Sequence, residues 1–291
     1  MKIQTFSIVV GGKKCNASCP YCVSKMTGLD EDRECVSFNI RNFHKACQFA
    51  RQSGVSTVLL TGKGEPLLYP ELITQYLEIL KRYQFPFIEL QTNGIALPLI
   101  SNSMHKYLKV WYDLGLTTIS LSCAHWLTKY NKRIFGDNYG KGEYNLSDYI
   151  EICHSNKFSV RVSCVMAKGY IDDIDRVKEF IEKCRENEVE QFTIRPVARP
   201  DNSEIAEIAE WVSLHSVFET DQKEIQDYFR DNAYLLLELA HGAKVYDYKG
   251  QNISVNSCLT HSPNPDDIRQ LIFFADGHLR YSWTHKGAII I

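Results

Sequence analysis

Cys15, Cys19 and Cys22 stand close together in the run Cys-Asn-Ala-Ser-Cys-Pro-Tyr-Cys. Three thiolates on one loop can converge on one metal centre. An iron–sulfur cluster takes thiolate ligands, usually four, so three would leave one iron open to another molecule. Zinc is the alternative, and it needs a fourth donor. Cys35 and His44 could supply one, although neither sits at a usual finger spacing. The chain has ten cysteines; the other seven (Cys35, Cys47, Cys123, Cys153, Cys164, Cys184 and Cys258) are scattered and read as small buried hydrophobes. The opening MKIQTFSIVVGGKK lacks the pattern of a signal peptide. The expected location is cytoplasmic, where clustered cysteines read as metal-binding or catalytic rather than as a disulfide framework.

These cysteines follow an apolar run, and more polar residues recur at the ends of similar runs. Phe6–Val10, Val55–Leu60, Phe87–Gln91, Thr117–Ser122, Ser159–Met166 and Gln191–Ile194 predict strands. Phe38–Gln52, Glu71–Tyr83, Asn102–Leu114, Leu146–Ser155 and Ile174–Asn187 predict amphipathic helices between them. Alternation of this kind means an α/β fold with a parallel sheet. A closed eight-unit barrel takes about 250 residues, whereas six units end here at Ile194. The expectation is a partial (β/α)6 barrel over residues 1–200. A C-terminal extension follows over residues 201–291, with helices at Glu204–Ser213 and Gln222–Leu239. Strands are expected at Lys244–Tyr248, Ile253–Val255, Gln270–Ala275 and His278–Trp283. The last two flank Asp276–Gly277, a hairpin signal.

Parallel α/β folds bind ligands at the C-terminal ends of their strands. There the chain places Thr61-Gly-Lys-Gly-Glu-Pro66, whose glycines let a ligand reach the backbone, and Gln91-Thr92-Asn93-Gly94. Ser120-Leu-Ser122, Arg161 and Ser163 with Lys168–Gly169 beyond them, and Arg195 continue the series. Each alone reads as ordinary turn or strand chemistry. Together they line the rim that carries the cysteines. With 33 basic against 35 acidic residues the net charge is −2, which supplies no strong field for nucleic acid or an anionic membrane. No apolar run is long enough to span a bilayer.

The C-x3-C-x2-C loop, the Gly-Glu-Pro turn, the Thr-Asn-Gly turn and the strand-four serine resemble the radical S-adenosylmethionine (SAM) superfamily over roughly residues 5–200. Within it the chain is similar to the branch holding the GTP cyclase of molybdenum-cofactor synthesis and many peptide-modifying enzymes. The resemblance implies one [4Fe–4S] cluster on Cys15, Cys19 and Cys22, with SAM chelating the open iron. A reduced cluster would cleave SAM to a 5′-deoxyadenosyl radical that abstracts hydrogen from substrate. Tyr21 would meet the adenine, and Gly64 and Glu65 the methionyl amino group. Thr92 and Asn93 would border SAM; Ser120 and Arg161 would contact its carboxylate, its ribose or the substrate. Arg195 and Val197 would lie near the adenine. An external flavodoxin- or ferredoxin-like donor would supply the electron. Two positions depart from the family pattern: Lys63 replaces the first glycine of Gly-Gly-Glu-Pro, and Ser-Leu-Asp reads Ser-Leu-Ser.

The tail from Cys258 to Trp283 also resembles that branch, where cysteines around an Asp-Gly hairpin hold an auxiliary cluster. Only Cys258 remains, and Tyr281-Ser282-Trp283 stand where a closing cysteine is expected. One thiolate cannot hold a cluster, so the extension is expected to carry none. Lys63, Ser163, Lys168 and Cys258 are candidates for the substrate side. A nucleotide or other small molecule would suit a basic pocket built from Lys63, Arg161, Lys168 and Arg195. A ribosomally made peptide or protein suits the aromatic tail Phe273, Phe274, Tyr281 and Trp283, and is the favoured reading. Only 14 residues precede Cys15, so a precursor peptide would need a separate small leader-binding protein or direct contact with the tail. A non-catalytic zinc-binding module is the reading from another class.

Overall fold

Alternation along the strands decides what each face of the sheet carries. In Ser159–Met166, residues Val160, Val162, Cys164 and Met166 are buried, while Arg161, Ser163 and Val165 between them are only partly covered. One face therefore packs apolar side chains under helices and the other presents polar groups.

The computed structural model describes residues 3–26, 38–99, 101–198, 206–239, 242–255 and 268–291. Strands β1 (Ile3–Val9), β2 (Thr57–Thr61), β3 (Phe87–Thr92), β4 (Thr118–Cys123), β5 (Ser159–Met166) and β6 (Gln191–Pro196) lie side by side, parallel and in chain order. The helices are α1 (Val23–Met26), α2 (Ile40–Gln52), α3 (Pro70–Leu80), α4 (Ala96–Leu99), α5 (Ser101–Asp113), α6 (Thr128–Phe135), α7 (Leu146–Ser155), α8 (Ile174–Glu186), α9 (Ala206–His215) and α10 (Glu219–Asn232). When spatial order follows chain order, right-handed crossovers put every helix on one face. The opposite, inner face is left for ligands. On the helical side Phe43 of α2 lies between Phe6 of β1 and Tyr76 of α3, and Phe180 of α8 lies against Phe192 of β6.

Strands β7 (Tyr234–Glu238), β8 (Lys244–Tyr248), β9 (Gln251–Val255), β10 (Ile268–Phe273) and β11 (Leu279–Arg280) extend the same sheet in the order β11-β10-β1-β2-β3-β4-β5-β6-β9-β8-β7. The sheet is open, as expected. Both of its ends are built from residues beyond 200: β9 runs parallel to β6, and β10 runs parallel to β1 with Ile3 opposite Ile268. The expected Asp276–Gly277 hairpin joins β10 to β11, with Gly277 at φ +84° donating its N–H to Phe274 O at 3.0 Å.

The expected helix Gln222–Leu239 is corrected. It stops at Asn232, Ala233 turns extended (φ −130°, ψ 157°), and Tyr234–Glu238 becomes strand. A helix would need one apolar stripe, but Leu235, Leu236 and Leu237 are consecutive and all exposed. Helices α1, α4 and α6 were not anticipated: two are a single turn, and α6 is largely polar.

In the hairpin, Arg280 donates two hydrogen bonds to Asp276, at 3.0 and 2.6 Å, and His278 N–H adds a third at 3.0 Å. Both charged side chains are 9% exposed. Burial raises the carboxyl's pKa, but the Arg280 pair and the His278 N–H outweigh it and hold Asp276 below its ordinary value. Its stabilisation is full above the unfolded pKa and is lost as pH falls through the depressed folded value. We expect Asp276→Asn, which strands a buried guanidinium, to cost about 3 kcal/mol in urea unfolding at neutral pH. The gap from the native chain should narrow below about pH 4.

Candidate cofactor site

The chain leaves β1 through Val10, whose N–H bonds Thr61 O at 2.7 Å, and turns at Gly11 with φ +69°. A Cβ on Gly11 would stand 2.3 Å from the Tyr69 ring, so only glycine fits. The cysteine loop follows. The turn after β2 is pressed against its start: a Cβ on Gly64 would lie 2.1 Å from Lys14 O, and Glu65 N–H bonds that same oxygen at 3.0 Å.

Glu65 is 3% exposed and ties this turn to the next strand. Its Oε1 accepts from Leu67 N–H at 2.9 Å and from the Thr92 hydroxyl at 2.5 Å; its Oε2 accepts from Asn93 N–H at 3.0 Å. Burial raises its pKa, and the Asn93, Thr92 and Leu67 donors oppose the rise. Thr92 Oγ1 in turn accepts from Gly94 N–H, and Asn93 Oδ1 from Ile95 N–H, each at 3.0 Å. The Asn93 amide donates to Asn16 Oδ1 at 2.8 Å and reaches Cys15 Sγ at 3.8 Å.

The far side of the loop is held from α6 and the turn after it. Ser18 N–H bonds Phe135 O at 3.0 Å, and the Asn138 amide donates to Asn16 O at 2.9 Å. Sequence reasoning missed Asn16, Asn138 and Phe135. Asn16 lies inside the cysteine motif and could have been suspected, whereas nothing near Asn138 marks it. Behind the loop the buried Tyr21 ring lies 5.5 Å from the ring of Trp211 on α9. Burial pushes its phenol pKa well up, and the Arg195 charge opposes that rise.

The inner face carries a polar band. Glu89 on β3 pairs with Arg161 on β5 and accepts from Gln91 Nε2 at 3.0 Å. Arg161 Nε also donates to Ser120 Oγ at 3.3 Å, across directly paired positions of β4 and β5. Glu89 was missed, because a carboxylate inside a strand gives no local signal. Ser163 and Arg195 are partly covered on the same face, and Val197 is buried with its N–H on Met166 O at 2.8 Å. Lys63 reaches the C-terminal hairpin, its ammonium 5.8 Å from the Trp283 ring centre. Lys168 points elsewhere, 4.4 Å from the ring of Phe218, which is 57% exposed. Cys258 and Cys35 lie outside the described residues. Cys47, Cys123, Cys153, Cys164 and Cys184 are buried and free, as small hydrophobes should be. His44 is engaged with the Tyr83 hydroxyl at 2.8 Å.

The donors suit a cationic, sulfur-loving centre. Burial pushes the Cys19 thiol up to about 12, and the nearby Cys22 and Cys15 add to the rise. Thiols that oppose each other's ionisation become good thiolates only around positive charge. Among the described residues no three His, Cys, Asp or Glu side chains are gathered as a site for a single ion.

The sequence pattern of the radical SAM superfamily matches residues 9–212. The chain belongs to this superfamily, whose members use a [4Fe–4S] cluster and SAM. Over 178 residues it is 29% identical to GTP 3′,8-cyclase of Clostridium acetobutylicum, a span covering 61% of this chain and 51% of the cyclase. Streptococcus suis SuiB bound to S-adenosylmethionine shares the fold, with a TM-score of 0.60 and 15% identity over 97% of this chain and 60% of SuiB. So does anSMEcpe with bound AdoMet, with a TM-score of 0.59 and 14% identity over 96% of this chain and 74% of that one. The chain spans about half the length of the cyclase and three fifths of SuiB.

Removing the Asn93 amide should loosen the loop without touching its cysteines. Asn93→Ala is expected to lower stability by about 1 kcal/mol. After anaerobic reconstitution it should lose iron to a chelator several times faster than the native chain, followed by visible absorbance.

Proposed function

We propose that this chain is a radical SAM enzyme that modifies a peptide or protein by hydrogen-atom abstraction. The cofactor reading rests on the Glu65 net, which fixes the cysteine loop and the two following turns as one body. Cys15, Cys19 and Cys22 would hold the single cluster. When bound, cluster and SAM together supply one-electron cleavage of the sulfonium and a carbon radical able to take hydrogen from an unactivated C–H bond.

The residues around them bind and orient. Among the described residues Glu65 Oε2 accepts one hydrogen bond where Oε1 accepts two, so it retains acceptor capacity for the methionyl ammonium beside the Gly64 backbone. Thr92 and Asn93 hold Glu65 and border the same space. Ser120 and Arg161 would meet the carboxylate or ribose, and Tyr21, Arg195 and Val197 the adenine. Ser163 would face the substrate, with Lys63 further out beside Trp283. An external flavodoxin- or ferredoxin-like protein would deliver the electron, and the setting would be cytoplasmic.

The substrate class rests on what the cations are doing. A nucleotide pocket needs cations available to phosphate, yet Arg161 is neutralised by Glu89, Lys63 lies against Trp283, and Lys168 lies over an exposed ring. Arg195 is on the same face, close enough to the Tyr21 phenol for their charges to interact. That surface suits an uncharged chain better than a triphosphate. SuiB has been seen bound to its precursor peptide SuiA, which supports a precursor peptide here, presented directly or by a small leader-binding protein. The second reading, a small molecule such as a nucleotide, draws on the 29% identity to the cyclase.

Anaerobically reconstituted protein should be brown and, once reduced, release 5′-deoxyadenosine from SAM, while Cys22→Ala should release none. Deuterium from a labelled candidate peptide should enter the 5′-deoxyadenosine; entry from labelled GTP instead would favour the second reading. Colourless protein with one zinc per chain and no SAM cleavage would overturn both.

A further inference from the structure

The charges beside the cysteine loop are unlike those on the outer helices. On and around α8 the cations are matched: Arg176 meets Asp172, Lys178 meets Asp175, Lys183 meets Glu186 and Arg185 meets Glu182. Helix α6 carries Lys129, Lys132 and Arg133 and no acidic residue, and none of the three has an ion pair among the described residues. Lys129 and Arg133 lie over the Tyr130 ring, 5.0 and 5.5 Å from its centre. Like charges this close on one short helix repel each other, so the arrangement does nothing for the helix itself. The turn after α6 adds Lys141 against Asp137, and the loop from Gly11 to Met26 adds Lys13, Lys14 and Lys25 with no acidic residue. In a chain with 35 acidic against 33 basic residues, this is a local reversal of sign.

Helix and loop make one surface. Ser18 N–H bonds Phe135 O at 3.0 Å, a Cβ on Gly136 would stand 2.9 Å from Ser18 Oγ, and the Asn138 amide donates to Asn16 O at 2.9 Å. Lys132 runs along this junction, its Cε 3.3 Å from where a Cβ on Gly140 would lie. Lys25 N–H bonds Cys22 O at 3.0 Å, which keeps that lysine within a turn of the last cysteine. Lys14, Lys25, Lys132 and Lys141 are exposed, and so is Cys15.

We propose that this face, centred on Lys132 and Lys141 beside the cysteine loop, docks an acidic one-electron carrier protein. The proposal rests on the radical reading above, which needs an electron from outside. Electron tunnelling weakens steeply with distance, so the carrier must dock where the cysteines come to the surface, and there the charge is positive. The reduced carrier gives up one electron and is oxidised by one step; the cluster is reduced from 2+ to 1+, and no bond or proton changes place. A positive face steers an anionic partner and sets its orientation without demanding a tight complex, which suits a carrier that must leave to be reduced again.

Oxidised flavodoxin, an acidic carrier, should bind the reconstituted full chain at low salt in calorimetry. Raising the salt from about 20 mM to about 200 mM should weaken binding about tenfold. Lys132→Glu with Lys141→Glu should weaken it at least about tenfold, and Lys132→Gln with Lys141→Gln should fall between. The melting temperature should change little, because both side chains are exposed. In turnover the KM for reduced flavodoxin should rise in step, while SAM cleavage driven by dithionite stays native. Carbodiimide coupling should join Lys132 or Lys141 to a flavodoxin carboxylate. A native chain that binds no flavodoxin, binding indifferent to salt and to both variants, or cross-links that map away from α6 and the cysteine loop would each overturn the proposal. So would variants that lose a substrate peptide and keep flavodoxin, which would give the face to the substrate. A native chain that binds flavodoxin in this way but cleaves no SAM with dithionite would overturn the radical reading instead, so the two fail separately.

Discussion

A single buried carboxylate sets the geometry of the site. Taking Glu65 out of water is unfavourable unless its oxygens are satisfied. Three donors satisfy them, from Leu67 on its own turn and from Thr92 and Asn93 at the end of β3. The same residue's N–H holds Lys14 at the head of the cysteine loop, and Asn93 carries the connection on to Asn16. Loop, turn and strand end therefore move together or not at all. A site built to bind a charged cofactor against backbone needs that stiffness, because a loop free to shift by an ångström would lose its aim.

Around this hub the polar groups are sorted by partner. Glu89 takes up Arg161, and Ser120 and Gln91 complete the band across three strands. Lys63, read as standing in place of a glycine, meets Trp283, one of the three residues read as standing where a closing cysteine is expected. Two departures separated by most of the chain thus face each other. The contact joins the cofactor turn to a hairpin whose Phe274 packs with Val9 and Ile272.

Much of this was legible in the sequence, for physical reasons. Strands β1 to β6 are short apolar runs with turn residues at their ends, and periodicity marks their helices. The cysteines, Gly64, Glu65, Thr92 and Asn93 could be placed on one rim because strand order and rim position follow from the fold class. Partners could not be read that way. Nothing local says that Arg161 would be neutralised by Glu89, or that Lys168 would turn outward. The apolar run at 234–239 looked helical because it continued an amphipathic pattern; pairing with β8, a tertiary effect, made it strand. The Asp-Gly hairpin was visible, but a turn signal does not say which strand the hairpin will join.

That last point bears on how the protein comes to be. β1 is held on one side by β2, some 50 residues on, and on the other by β10, with Ile3 opposite Ile268. A growing chain meets the first neighbour early and the second far later, and closing so long a loop is slow. Until then the strand that anchors the cysteines has a bare flank, and Trp283 has not yet arrived beside Lys63. The flank beside the cysteine loop is consequently complete only once β10 has docked against β1.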